Sequence, residues 1–150
     1  MERAVHDLID RCYRPYGLRL NLADECEAHL ADPGAYFRAR GGEFWILTDP
    51  DSNLVATAAL DLHDGPPPRL AELKSMYVDP GYRRRGIGRA MTIHVMEAAR
   101  SRACAQMELW SDTRFEAAHA MYESLGFVRF GERAVADSNQ SREFGFRRSL

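Results

Sequence analysis

The stretch DPGYRRRGIGRAM (Asp79–Met91) decides the fold prediction, because it joins a strand-like segment to a helix-like segment through a turn rich in arginine and glycine. It contains four arginines, and a single residue separates Gly86 from Gly88. A helix N-terminus offers free N–H groups and a partial positive charge, and glycine lets the backbone approach a ligand. Arginine adds bidentate donors that suit phosphate. The stretch therefore predicts a site for a pyrophosphate group.

Other interpretations of this turn fit the sequence less well. A P-loop requires a lysine after its last glycine, and Ile87 follows Gly86. A dinucleotide-binding fingerprint requires a third glycine where Met91 stands. A nucleic-acid patch would carry interleaved aromatic residues, and the turn has only Tyr82. A solvated basic turn would explain three isolated arginines, but the glycines and the following helix favour an anion-binding turn.

The composition indicates one globular domain over residues 1–150. Apolar residues make up 45% of the chain and charged residues 28%, and the formal net charge is −2, which excludes a wholly basic nucleic-acid binder. No apolar run approaches the roughly 20 residues of a membrane span, and the N-terminus has acids where a signal peptide has its apolar core. Three cysteines without a C-x-x-C pair predict neither a disulfide framework nor a zinc site. We therefore expect a cytoplasmic protein.

The hydrophobic patterns predict a mixed α/β (α+β) domain with the order α-α-β-β-β-α-β-α-β-β. The first helix ends at Pro15 and Gly17, and the second is predicted to begin with a capping box of Asp24 and Glu27. The predicted elements are helices at Val5–Tyr13, Asp24–Ala31, Ile87–Ala99 and Phe115–Leu125, and strands at Phe44–Thr48, Leu54–Leu62, Leu70–Val78, Gln106–Trp110, Phe127–Phe130 and Glu143–Phe146.

Three blocks of sequence resemble the GCN5-related N-acetyltransferase (GNAT) superfamily. RRRGIG (Arg83–Gly88) fills the pattern [QR]-x-x-G-x-[GA] of its pyrophosphate signature, AELKSMYVDP (Ala71–Pro80) looks like its central strand, and AAHAMYESLGF (Ala117–Phe127) looks like its A-x-x-x-Y-x-x-x-G-F block. The resemblance implies a twisted mixed sheet that splays at the central strand, with helices on both faces. The family's first strand has no counterpart before the first helix in this sequence, either because the sequence starts after it or because this protein lacks it.

The resemblance further implies acetyl-CoA as cofactor, with its pyrophosphate on the backbone of the glycine turn and its pantetheine arm along the end of the central strand. A free N–H of Met76 or Val78 would polarise the thioester carbonyl. Phe115 stands where many members have a pantetheine-binding asparagine, which puts that contact in doubt. The residues implied to bind the cofactor are Met76, Tyr77, Val78, Arg83, Arg84, Arg85, Gly86, Ile87, Gly88, Arg89 and Phe115.

The resemblance assigns the proton transfers to two residues. Tyr122 matches the tyrosine near the cofactor sulfur and would protonate the leaving thiolate. Glu72 aligns with a catalytic glutamate of one branch and would deprotonate the acceptor amine, with Glu108 or an ordered water as alternatives. We expect no metal, because the five histidines show no metal-ligand spacing. His94 is predicted to be packed and His119 to be solvated.

The implied activity is transfer of an acetyl group to a primary amine of a small molecule or peptide, with no nucleic-acid or membrane partner. The polar segment ADSNQSRE (Ala136–Glu143) is predicted to cover the acceptor site without naming the acceptor. Transfer of a longer acyl group and a non-catalytic acyl-CoA-binding module remain as alternatives. Dimers are common in the family, so a homodimer also remains open.

Overall fold

The computed structural model describes residues 1–150 as a six-stranded sheet with four α-helices and three short 3₁₀ segments. The helices are α1 (Glu2–Tyr13), α2 (Pro33–Ala39), α3 (Ile87–Ser101) and α4 (Glu116–Ser124), and the strands are β1 (Glu43–Thr48), β2 (Leu54–Leu62), β3 (Arg69–Val78), β4 (Cys104–Asp112), β5 (Val128–Ala134) and β6 (Arg142–Ser149). The order of strands, α1, α3 and α4 is the one that the sequence predicts, but the second α-helix lies at Pro33–Ala39, after the segment Asp24–Ala31 that was predicted to form it. The 3₁₀ segments are Arg14–Tyr16, Glu25–Ala31 and Pro80–Tyr82.

The sheet is mixed and has the strand order β1-β2-β3-β4-β6-β5. Only β3 and β4 are parallel, since α3 crosses between them, and every other neighbouring pair is antiparallel. The hairpin predicted from Phe44 to Leu62 is therefore confirmed as β1–β2. No strand precedes α1.

The sheet splays at β3, as the family resemblance implied. β3 and β4 pair only from Arg69 to Glu72, and beyond Glu72 the two strands separate. On the other side of β3, the pairing with β2 slips by one residue near Ser75, whose φ of 50° lies in the left-handed region. This bulge bends the second half of β3 away from β4 and opens the sheet at its centre.

Helices cover both faces of the sheet and enclose two apolar cores. The larger core lies under α3 and α4, and the smaller core lies between α1 and the opposite face. The predicted apolar stripe of α1 is fully buried, and each such side chain stabilises the fold by about 1.5–3 kcal/mol. No helix combines the length and the apolar character needed to cross a membrane.

Two local predictions were wrong. The segment Glu25–Ala31 is a 3₁₀ helix without a capping box, because the Asp24 carboxylate accepts hydrogen bonds from the N–H and hydroxyl of Ser138 instead. The apolar residues of α3 predict a buried stripe of Ile87, Ala90, Met91, His94, Val95, Ala98 and Ala99. The buried face is rotated from this stripe and carries Thr92, Val95, Met96 and Ala99. His94 is consequently exposed, although its ring meets Trp45 edge-on at 5.0 Å.

Candidate functional site

Two clefts open where the sheet splays. The first, called here the α3 cleft, has a volume of about 540 Å³ and is bounded by the end of β3, the turn before α3 and one side of α4. The second, called the loop cleft, has a volume of about 470 Å³ and is bounded by β3, β4, the Glu25–Ala31 helix and the β5–β6 loop (residues 135–141). Both volumes are in the range of small-molecule sites.

The glycine turn forms one wall of the α3 cleft. Gly86 begins α3 with a left-handed φ of 73°, and Arg84 also has a positive φ of 64°. No backbone N–H from Arg83 to Arg89 donates to another backbone group, so the turn and the first turn of α3 present a run of free donors. A helix N-terminus with free donors attracts an anion, and the pyrophosphate site predicted for this turn stays a prediction.

The arginines of the turn have different surroundings. Arg83, Arg84 and Arg89 line the α3 cleft, and all three are exposed. Arg89 also donates to the hydroxyl of Ser124 on α4 at 2.9 Å. The guanidinium of Arg85 stacks over the ring of Tyr82 at 5.0 Å and does not line the cleft. The structure thus brings every residue predicted to bind the cofactor to the α3 cleft except Arg85.

The end of β3 offers a free edge to the α3 cleft. The N–H of Asp79 donates to Val55 of β2 at 2.8 Å, and in an antiparallel pair alternate residues face the partner strand. The N–H of Val78 therefore faces the opposite side, from which β4 has withdrawn. The carbonyl of Val78 accepts from the Cys12 thiol at 3.3 Å, and Met76 lies beside the bulge at Ser75.

The two clefts meet at four residues, Met76, Tyr77, Phe115 and Tyr122, which line both of them. Phe115 contacts the ring of Tyr16 at 4.9 Å, so it packs into an aromatic wall. The side chain of Tyr122 is 4% exposed, and its hydroxyl has no hydrogen-bond partner in the protein. Burial raises the pKa of the Tyr122 phenol, which keeps it protonated at neutral pH.

The two carboxylates predicted as candidate bases differ in whether they line a cleft. Glu72 lines the loop cleft and is held by the His63 imidazole at 2.9 Å and the Lys74 ammonium at 3.8 Å. Glu108 forms an ion pair with Arg147 at 2.7 Å and lines neither cleft. The ligand atoms of His63, Glu72 and Glu108 lie within 4.8 Å of one another. Because two cations already pair with these carboxylates, the group is an ion-pair network rather than a prepared metal site.

The β5–β6 loop, which contains most of the segment Ala136–Glu143, covers the loop cleft. Asn139 exchanges two hydrogen bonds with the backbone of Arg19, at 3.1 and 2.8 Å. Ser138 accepts from Asn21 at 2.8 Å and donates to Asp24 at 2.7 Å. These contacts connect the loop to the segment after α1 and close the cleft on its outer side.

Sequence reasoning missed the buried polar contacts of this region. His119 is 5% exposed and contacts the hydroxyl of Ser111 at 3.1 Å, so the prediction that it is solvated was wrong. Burial lowers the pKa of His119, which keeps the ring neutral. Its spacing of four residues from Phe115 and three from Tyr122 places it on the apolar stripe of α4 and could have revealed its burial.

A hydrogen-bonded chain of Tyr77, Tyr13 and Glu27 was also missed. The hydroxyl of Tyr13 donates to Glu27 at 3.0 Å and contacts the hydroxyl of Tyr77 at 3.0 Å. No local pattern indicates these contacts, because Tyr77 lies 64 residues from Tyr13. The chain of hydroxyls runs from the meeting point of the clefts into the loop cleft.

Comparison with known families gives a match over most of the chain. Residues 3–127 match the model of the Acetyltransferase (GNAT) family. An N-acetylaspartate synthetase of Danio rerio is 33% identical over 111 residues, which is 72% of this chain and 38% of that protein. A mycothiol acetyltransferase of Beutenbergia cavernae is 33% identical over 61% of this chain and 32% of its own. The chain thus spans about a third of the length of these curated relatives.

Solved structures share the fold. An acetyltransferase of the GNAT family from Staphylococcus aureus Mu50 has a TM-score of 0.81 at 20% identity, over 99% of this chain and 92% of the other. A GNAT superfamily phosphinothricin acetyltransferase from Sinorhizobium meliloti, solved in complex with AcCoA, has a TM-score of 0.72 at 18% identity, over 100% and 85% of the two chains. At these identities the likeness establishes the fold.

Proposed function

The chain belongs to the GNAT family of acetyltransferases, and on that premise we propose that it transfers the acetyl group of acetyl-CoA to a primary amine of a small molecule or peptide. The observation that carries the proposal is the meeting of the two clefts at Tyr122. One cleft has the donors for a pyrophosphate, the other is available to an acceptor, and the buried side chain of Tyr122 at their junction has a hydroxyl without a partner in the protein.

In this proposal the α3 cleft holds acetyl-CoA. The free N–H groups from Arg83 to Arg89 bind the pyrophosphate, and the cleft side chains of Arg83, Arg84 and Arg89 add positive charge. The pantetheine arm runs along the free edge of β3, between this strand and α4. The AcCoA complex of the S. meliloti neighbour supports the choice of cofactor for this fold.

The junction residues perform the transfer. The amine nitrogen attacks the thioester carbonyl carbon, and the N–H of Val78 on the free edge stabilises the oxyanion that forms. When the carbon–sulfur bond breaks, the thiolate takes the proton of the Tyr122 hydroxyl. Glu72 takes the proton that the amine loses, since it lines the loop cleft and Glu108 does not. Its contact with the His63 ring and its ion pair with Lys74 hold its carboxylate in place.

Two measurements test the proposed function. Titration calorimetry with acetyl-CoA tests cofactor binding, and a CoA-release assay with a panel of primary amines tests transfer. We expect saturable binding and amine-dependent release of CoA. Failure to bind at millimolar acetyl-CoA would overturn the proposal. Binding without release for any amine would support a non-catalytic acyl-CoA-binding module instead.

A further inference from the structure

The loop cleft has an excess of negative charge. Its two cations are already engaged, because Lys74 lies 3.7 Å from Asp61 and 3.8 Å from Glu72, and Arg133 lies 2.9 Å from Glu143. Burial lowers the pKa of His29 to about 4, so this histidine adds no charge at neutral pH. The carboxylates that line the cleft are Glu27, Glu72, Asp112, Asp137 and Glu143.

Glu27 is the carboxylate whose position calls for a cation. One of its oxygens accepts from Tyr13, and the other has no hydrogen-bond partner in the protein. It forms no ion pair with a lysine, arginine or histidine, and the charges that act on its pKa are those of the acidic residues Asp137, Asp24 and Glu143. Two hydrogen bonds of 3.0 Å each separate it from the hydroxyl of Tyr77, which lines the meeting point of the clefts.

No positively charged side chain balances the negative charge of Glu27. Burial raises the pKa of Glu27, and the charges of Asp137, Asp24 and Glu143 raise it further. Asp137 receives only the N–H and hydroxyl of Ser141, at 2.8 and 2.7 Å, and pairs with no cation. A cation placed between Glu27 and Asp137 would relieve the repulsion among these groups.

A second observation in the same cleft points to a ligand. The Tyr122 side chain is 4% exposed, lines the loop cleft and has no partner for its hydroxyl. Since the ring is buried and the hydroxyl has no partner in the protein, this group is free to bond to a molecule in the cleft. The cleft therefore has a polar group for a reacting centre at its inner end and unpaired carboxylates on its outer side.

We propose that the acceptor carries a second positive charge, of the diamine type, and that Glu27 and Asp137 bind this second ammonium group while the first amine is acetylated beside Tyr122. This inference rests on the proposed function and names its acceptor class. The amine that reacts loses a proton and gains the acetyl group, and the second ammonium keeps its charge. An acceptor with a carboxylate at that end is rejected by the same residues.

Three amines of equal chain length test the proposal. They are 1,5-diaminopentane, 1-aminopentane and 5-aminopentanoate, which present a positive, a neutral and a negative group at the far end. CoA release gives kcat/KM for each, and calorimetry on the CoA-bound protein gives the Kd of each amine whether or not transfer occurs. We expect the diamine to exceed the monoamine by at least about tenfold in kcat/KM and in affinity, the effect of one charged hydrogen bond. We expect the amino acid to be the poorest of the three.

The variant Glu27→Gln removes the charge but keeps an acceptor for the Tyr13 hydroxyl. We expect it to reduce the diamine-to-monoamine ratio by about tenfold. Glu97→Gln is the matched control, since Glu97 is exposed on α3 and lines neither cleft, and it should leave the ratio unchanged. Equal or reversed preference in the wild type, or an unchanged ratio in Glu27→Gln with an unaltered Tm, would overturn the inference.

Different results would overturn the proposed function and the proposed charge preference. Absence of acetyl-CoA binding, or absence of transfer to all three amines and to the wider amine panel, would overturn the acetyltransferase proposal. Titrations of the three amines, on the CoA-bound protein if CoA binds and on the protein alone if it does not, would still decide the charge preference of the loop cleft. A functioning enzyme that prefers 1-aminopentane or 5-aminopentanoate would overturn the charge preference alone.

Discussion

Removal of the Tyr122 hydroxyl separates catalysis from stability, because this hydroxyl has no partner in the folded protein. The ring of Tyr122 packs against Phe127 and Phe146, with centroids 5.9 and 6.1 Å away, and Tyr122→Phe keeps these contacts. Loss of a hydroxyl that has no partner in the protein and reaches the cleft changes the free energy of unfolding by less than about 1 kcal/mol. We therefore expect Tyr122→Phe to fold with a Tm close to that of the wild type.

The same substitution should reduce the rate of acetyl transfer strongly. A positioned proton donor contributes about 10²–10⁴-fold to a rate. We expect kcat to fall by this factor while the Kd of acetyl-CoA changes little, since the pyrophosphate contacts lie on the turn before α3. Because burial raises the pKa of the phenol, the wild type should show no alkaline loss of kcat from Tyr122 below about pH 10.

The assay is CoA release under saturating amine, with thermal unfolding measured in parallel. Tyr36→Phe is the matched control, since Tyr36 lines neither cleft and its hydroxyl also lacks a hydrogen bond. It should retain the full rate. An unchanged kcat in Tyr122→Phe at every pH would refute the assignment of Tyr122 as proton donor.

Three further predictions concern the turn, the base and the pH dependence of stability. Gly86→Val forces a β-branched residue to a φ of 73°, which costs about 1–2 kcal/mol of strain. It should therefore weaken acetyl-CoA binding, measured by calorimetry, more than Arg84→Ala does. The opposite ranking would mean that the side-chain charges bind the cofactor and the backbone does not. Glu72→Gln should lower the transfer rate about 100-fold at neutral pH, and the rate should recover at higher pH because more of the amine is already deprotonated. A rate that is reduced by the same factor at every pH would contradict the role of Glu72 as base. Burial lowers the pKa of His29 to about 4, so as the pH falls below about 6.5 the unfolded chain binds this proton before the folded protein does. The free energy of unfolding should therefore decline between about pH 6.5 and 4. In denaturant titrations, His29→Gln should make this decline smaller.

The sequence predicted the order of the strands and the glycine turn because both depend on local rules. The spacing of apolar residues and the turn residues between them indicate β3 and α3. Only glycine readily takes the left-handed φ that Gly86 has at the N-cap of α3. The splay of the sheet and the junction around Tyr122 came instead from the family resemblance. No local pattern in β3 indicates that its pairing with β4 ends at Glu72.

Tertiary contacts explain what the sequence could not show. Asp24 and Glu27 have the spacing of a capping box, yet Asp24 bonds to Ser138, 114 residues away, and Glu27 bonds to Tyr13. The bonds from Ser138 to Asp24 also connect the β5–β6 loop to the segment before the Glu25–Ala31 helix. The charge of the loop cleft depends on this arrangement, since Asp137 comes from that loop.

The splay at β3 explains why both proposed sites exist in one sheet. The bulge at Ser75 withdraws the end of β3 from β4, which frees the N–H of Val78 on one side and lets Tyr122 reach the gap from α4. The same separation leaves Tyr77 accessible to both clefts, and through Tyr13 it connects the reacting centre to Glu27. A continuous β3–β4 pairing would close the gap and remove the site for cofactor and acceptor together. Strand β3 therefore carries both the free backbone edge proposed to bind the cofactor and Tyr77. The hydroxyl of Tyr77 begins the hydrogen-bonded chain that leads to Glu27, the proposed partner of the acceptor's second ammonium group.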